Sequence, residues 1–149
     1  MGRRRLARES ALQALYLLDV SSYPASEEAA MLSLRRGKKP QPEMDEETAA
    51  FSEALIIGAR AKQKEIDSAI ETAAQNWRLE RMALVDRNIL RVAAYELLFL
   101  PGTPQKAVID EAIEITRKFS SEESTKFING ILDKIARDAK GNGSSQNPL

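Results

Sequence analysis

The first eight residues, Met-Gly-Arg-Arg-Arg-Leu-Ala-Arg, hold Arg3, Arg4, Arg5 and Arg8 with no acid among them. On a helix, at about 100° per residue, Arg4, Arg8, Arg5, Leu12 and Tyr16 fall along one side, so guanidinium groups lead into an aromatic ring. Single-stranded RNA is often held this way. Arginines neutralise phosphates and stack on bases, and an aromatic face is a sequence-tolerant platform worth about 1 to 3 kcal/mol per base. The pattern also fits a solvated chain start with Tyr16 in the core, and it does not choose between the two.

Other groups leave similar pairs of readings. Arg35, Arg36, Lys38 and Lys39 sit in a Gly/Pro-punctuated stretch, either a solubilising loop or a second basic contact. Asp86 falls at about the third position of its helix, above Leu90, Ala93 and Leu97. It marks a partner surface, or it stabilises the helix N-terminus through the macrodipole. Phe127, beside Lys126, lies at the edge of an apolar stripe, half-exposed or packed in the core. Glu111, Glu114, Glu122 and Glu123 could do general acid and base work, but no spacing pairs two of them across a substrate, so the chain reads as no enzyme. With no Cys and no His, thiolate, imidazole and zinc chemistry are excluded, and no metal or cofactor is expected.

The formal charge is zero, 22 basic against 22 acidic residues, so any nucleic-acid contact must be local rather than global. The start lacks the apolar run of a signal peptide, and no 18 apolar residues run together as a membrane span requires. A soluble, cytoplasmic protein is expected, with no membrane partner.

Nearly every long segment repeats its apolar residues at helical spacing, which predicts an all-α fold. A first helix runs from about Arg3 to Asp19 and a shorter one from about Ser26 to Arg35, before Gly37 to Pro42 forbids helix. A third starts near Asp45, with Asp45, Glu46 and Glu47 favourably placed at its positive N-terminus and Gly58 suited to close packing. Ile66, Ile70, Ala73 and Trp77 form the stripe of a fourth, which predicts a buried Trp77. Leu84 to Leu100 is apolar nearly all round and should be a buried axis. Thr103 before Pro104 reads as the N-cap of a sixth helix, and Ser120 with Glu123 as the capping box of a seventh. About seven helices suggest two apposed small bundles, residues 1–62 and 63–139, and the composition of 140–149 suggests a disordered tail.

Arg-Arg-Arg-Leu-Ala-Arg-Glu-Ser-Ala-Leu-Gln-Ala-Leu-Tyr, Arg3 to Tyr16, resembles the opening of the NusB family. Val85 to Leu98 (VDRNILRVAAYELL), Val108 to Ile115 (VIDEAIEI) and Lys126 to Lys134 (KFINGILDK) resemble its further signatures in order and spacing. The resemblance spans residues 3 to about 137. It implies two three-helix-like subdomains and transcription antitermination. The chain would bind boxA leader RNA, including ribosomal RNA leaders, with ribosomal protein NusE, and modify the RNA polymerase elongation complex through other Nus factors. By position, Arg3, Arg4, Arg5 and Tyr16 match the family's RNA-binding end, with Arg8 in the same arginine-rich end. Lys126 and Phe127 match a second contact region, and Asp86 an acidic position facing NusE. The loop near residue 38 is longer and more basic than is usual in the family. Ser120 stands where glycine is common, which puts the turn there in question.

Two alternatives stay beside this. One is an RNA-binding module like the front domain of ribosomal RNA cytosine methyltransferases, whose α/β catalytic segment and catalytic Cys this chain lacks. The other is a helical interaction scaffold without RNA affinity. Whether the free protein is a monomer or a homodimer stays open.

Overall fold

The computed structural model describes residues 2–21 and 44–146, with side chains up to Lys140. The expected second helix and the basic loop Arg35 to Lys39 lie outside the described residues. Among the described residues six helices follow in order: α1 (Gly2–Ser21), α2 (Glu46–Ala61), α3 (Gln63–Ala73), α4 (Leu84–Phe99), α5 (Gln105–Phe119) and α6 (Glu122–Gln146). A 3-10 turn, Leu79–Arg81, leads into α4. Among the described residues there is no strand, and the fold is all-α.

The near-continuous apolar surface of α4 has the expected consequence, since α4 packs against all five other helices. Ile89, Leu90, Val92, Ala93 and Ala94 are buried there. One core joins them to Leu12 and Leu15 of α1, Leu55 and Ile56 of α2, Ile66 and Ile70 of α3, Val108 of α5, and Ile128 and Leu132 of α6.

Two local expectations about α2 hold. Asp45 caps it, its Oδ1 accepting from the Thr48 N–H at 2.8 Å, and Glu46 and Glu47 occupy the first turn. The capping bonds from Thr48, helped by Arg3, hold the Asp45 carboxyl below its ordinary range. Gly58 allows close approach, because a Cβ there would clash with Cζ of Tyr95. The Tyr95 ring lies over that gap and stacks on Phe99, with centroids 6.1 Å apart.

Trp77 is not the buried end of the α3 stripe; it is 49% exposed. The stripe stops at Ala73 because the chain turns left-handed at Gln75 (φ 56) and Asn76 (φ 70). The Asn76 N–H bonds to Glu71 O at 2.7 Å and the Gln75 N–H to Thr72 O at 3.1 Å, the Schellman pattern that closes a helix. It is built here without glycine, so the usual sequence signal is missing.

Two caps fall one residue from their expected places. Helix α5 starts at Gln105 with Pro104 as N-cap and no side-chain cap bond, so Thr103 caps nothing. At α6 the cap is Ser121, whose Oγ accepts from the Ser124 N–H at 3.0 Å. Ser120 has φ −127, so this turn demands no glycine. Helix α6 runs to Gln146, into the stretch whose composition suggested disorder. Extending a helix that is already packed adds one backbone bond per residue fixed, whereas starting one does not.

Candidate nucleic-acid interface

Helix α1 sends its four arginines to different neighbours. Arg3 is exposed, with Nη1 3.2 Å from Asp45 Oδ2. The Arg4 guanidinium lies 3.9 Å from the centroid of the Phe51 ring. This cation–π contact holds the group against the ring while Arg4 stays exposed. Arg5 donates from Nε and Nη2 to the two oxygens of Glu111, 2.9 Å each, with 41% of its side chain exposed. Arg8 donates from Nε and Nη2 to Glu96 at 2.6 and 2.9 Å, and these two side chains are only 6% and 1% exposed.

The expected single row from Arg4 to Tyr16 is therefore two. Arg4 and Arg8, four residues apart, face Phe51 of α2, the Arg8 guanidinium 5.6 Å from the ring centroid. Arg5 lies 100° further round and faces α5. Arg8 is a buried strut between α1 and α4 and offers no free edge to a strand.

Tyr16 shares the Arg5 side of α1. It is 37% exposed and lines an open, mostly apolar groove of about 550 Å³ with Leu12, Gln13, Leu17, Val85 and Phe119. The eleven helical steps from Arg5 to Tyr16 span about 16 Å. Between them Lys118 of α5 donates to Glu9 at 3.0 Å. The seam of α1 with α5 therefore runs from Arg5 and Glu111, past Glu9 and Lys118, to Tyr16 and Phe119.

A second open groove, about 630 Å³, lies beyond Arg5 and Glu111 and includes Arg117, Lys126 and Asn129. Arg117 is held by Glu122 and Glu114, while Lys126 makes no ion pair among the described residues. Phe127 is 39% exposed, so its ring is not core. The structure thus brings Arg5 and Lys126 to one groove and Tyr16 to its neighbour.

The electrostatics follow these pairings. The bidentate bond with Glu111 raises the Arg5 pKa further. The same bond, with the charges of Arg5 and Arg8, holds the Glu111 carboxyl below its ordinary range despite burial.

Asp86, expected to present an acid to a partner, is buried at 7% exposure. Ser120 Oγ donates to its Oδ1 at 2.6 Å and Ser124 Oγ to its Oδ2 at 2.9 Å. It ties the start of α4 to the turn between α5 and α6, and its carboxylate is not a free surface acid.

A further polar cluster had no local signature in the sequence. Asp19 accepts from Arg87 (2.7 Å from Nε and from Nη2), Asn88 (2.9 Å) and Arg91 (3.0 Å), and Arg91 also grips Asp67 at 2.8 and 3.0 Å. Burial alone would push the Asp19 carboxyl up. The bonds from Arg87 and Asn88, with the charges of Arg91 and Arg87, outweigh it and bring it to about 2. This cluster pins the end of α1 to α3 and α4, and so fixes the direction of the helix that carries the arginines and Tyr16. Glu96, Glu111, Phe51 and Phe119 were likewise missed as partners of that helix. An available signal was Glu96 itself, an acid inside a buried helix, which requires a cation beside it.

A family model described as the NusB family matches residues 5–137. A transcription antitermination protein NusB from Elusimicrobium minutum is 46% identical over 142 residues, covering 94% of this chain and 97% of that protein. Among solved structures, a T. maritima NusB superposes with a TM-score of 0.79 at 34% identity, over 90% of each chain. A crystal structure of antitermination factors NusB and NusE in complex with double-stranded RNA superposes with a TM-score of 0.76 at 27% identity, covering 93% of this chain and 98% of that one.

Proposed function

The chain belongs to the NusB family, whose members it matches over nearly its whole length, and from that premise we propose that it is a transcription antitermination factor. It binds boxA leader RNA together with ribosomal protein NusE and modifies elongating RNA polymerase, including on ribosomal RNA operons. The observation that carries this reading is the outward surface of α1 with α5 and α6. Arg5 and Lys126 line one open groove, Tyr16 lines the next one along the seam with α5, Phe127 is half-exposed, and Arg4 is exposed on the α2 side of the same end of α1. Cations hold phosphates and rings hold unstacked bases, which is the pairing that single-stranded RNA needs.

In this reading Arg3, Arg4, Arg5, Tyr16, Lys126 and Phe127 touch RNA. Arg8 supports them from inside by anchoring α1 to Glu96. Asp86 serves the NusE-facing surface indirectly, by fixing the turn that holds α5 against α6. The molecule is read as two subdomains joined through α4. No catalysis is assigned, and the pairing of Glu111 with Arg5 supports that, since a carboxylate held ionised by a guanidinium is a poor proton donor near neutrality. Among the described residues no helix is long and apolar enough to cross a membrane, which fits action on RNA polymerase in the cytoplasm.

The test is fluorescence anisotropy of labelled boxA RNA and a scrambled strand, each single-stranded and as a duplex, with and without NusE. Tight binding of boxA by the pair, with weaker binding of the scrambled strand, is expected. Equal affinity for both strands, or no effect of NusE, would refute the assignment.

A further inference from the structure

Arg3, Arg117 and Lys118 are also ion-paired on this surface, but the pair of Arg5 and Glu111 differs in its geometry. Two parallel N–H···O bonds of 2.9 Å form the fork that a guanidinium makes with a phosphate as readily as with a carboxylate. Glu111 therefore occupies a phosphate's place on that edge of Arg5. It is held there: its side chain is 18% exposed, and Arg8 Nη1 stands 4.0 Å from its Oε1. Arg5 keeps three of its five donors and 41% of its exposure, but its charge is cancelled. Arg4 rests instead on an uncharged ring, and Lys126 makes no ion pair among the described residues.

We propose that Glu111 is a specificity-determining residue, an internal phosphate mimic that keeps the Arg5 fork aligned while withholding its charge from loosely bound strands. The inference rests on the reading that this surface binds RNA. A strand attracted only by the surface field meets a neutral pair and gains nothing from Arg5. A strand already engaged at Arg4 and Lys126 presents its next phosphate at high effective concentration and shares or takes the fork. Glu111 thereby weakens indiscriminate binding more than it weakens binding of the correct strand.

The experiment compares wild type with Glu111→Gln, which keeps shape and one acceptor but removes the charge. Binding of boxA RNA and of an unrelated strand of equal length is followed against salt, with NusE present. For the unrelated strand the slope of log affinity against log salt should steepen by about 0.7, one more phosphate neutralised. A tenfold drop in salt should then widen the variant's advantage about fivefold, while boxA gains less and selectivity falls. Glu111→Asp, which keeps the charge, should keep the wild-type slope, and adding Arg5→Ala to Glu111→Gln should abolish the gain. A Glu111→Gln slope equal to wild type, or a gain that survives Arg5→Ala, overturns the proposal. Arg4→Ala tests the underlying reading separately. If it leaves RNA binding intact, the surface is misplaced; if it weakens binding while Glu111→Gln changes nothing, only the role of Glu111 fails.

Discussion

Replacing Arg8 with alanine should unfold the protein far more readily while leaving the chemistry of the RNA surface alone. The guanidinium is 6% exposed and its partner Glu96 1%, so the substitution leaves a buried carboxyl group without its partner. Breaking a buried pair from one side costs about 3 to 5 kcal/mol. In a chain of this size 1 kcal/mol corresponds to about 2 to 4 °C in Tm, so a drop of about 6 to 20 °C is expected. Thermal and urea unfolding followed by circular dichroism measure it. The companion variant Arg8→Met with Glu96→Leu removes both charges and fills the space. It should recover most of the loss, because an apolar replacement of a buried pair is often neutral or stabilising. At a temperature where Arg8→Ala is folded, its affinity for boxA RNA with NusE should stay within about twofold of wild type. A loss below about 1 kcal/mol, or a large loss of RNA affinity in fully folded protein, would refute the strut and return Arg8 to the binding surface.

Trp77 is the chain's single tryptophan, and its emission should be solvent-like and readily quenched by acrylamide, with Trp77→Ala changing stability by no more than about 0.5 kcal/mol; blue-shifted native emission would contradict this. Gly58→Ala should be neutral to destabilising by about 2 kcal/mol, since the clash with Tyr95, about 1 to 3 kcal/mol, exceeds the helix propensity gained, about 1 kcal/mol. In a Tyr95→Ala background the same change should stabilise, and a persistent loss there would show that the ring is not the obstacle. Because Asp19 titrates near 2 in the folded protein, below the unfolded value, its contribution is present above about pH 4 and lost as the pH falls towards 2. Asp19→Asn should be less stable at neutral pH and lose less between pH 4 and 2, and parallel curves for the two proteins would remove Asp19 from the account.

Features carried by spacing along one helix were legible in the sequence. The stripe of α4 marked the central helix, Asp45 with its following acids marked the start of α2, and Gly58 marked a close approach. What depended on distant partners was not. The arginines were visible, but their division into outward and inward groups depends on Phe51, Glu96 and Glu111, which lie 47, 88 and 106 residues from Arg4, Arg8 and Arg5. Asp86 looked like a surface acid because its position on α4 was read without Ser120 and Ser124, supplied by the turn between α5 and α6. Trp77 failed for a local reason, since left-handed Gln75 and Asn76 ended the helix without a glycine to announce it. Tyr16 and Phe127, each left between a core and an exposed position by spacing alone, are exposed, and Lys126 beside Phe127 makes no ion pair among the described residues, which leaves two rings and a charge available to a ligand.

The salt dependence of boxA binding by the complex with NusE tests the central claim most directly. Cations that meet phosphates carry the slope, about −0.7 in log affinity per log salt for each phosphate neutralised on a single strand; a stacking ring carries affinity without slope. Arg4→Ala with Lys126→Ala should therefore weaken binding and flatten the slope by about one and a half units, while Tyr16→Ala weakens binding and keeps it. If the double variant bound boxA as tightly as wild type at every salt concentration, the arginine end of α1 with the neighbouring groove of α5 and α6 would not be where this protein holds RNA.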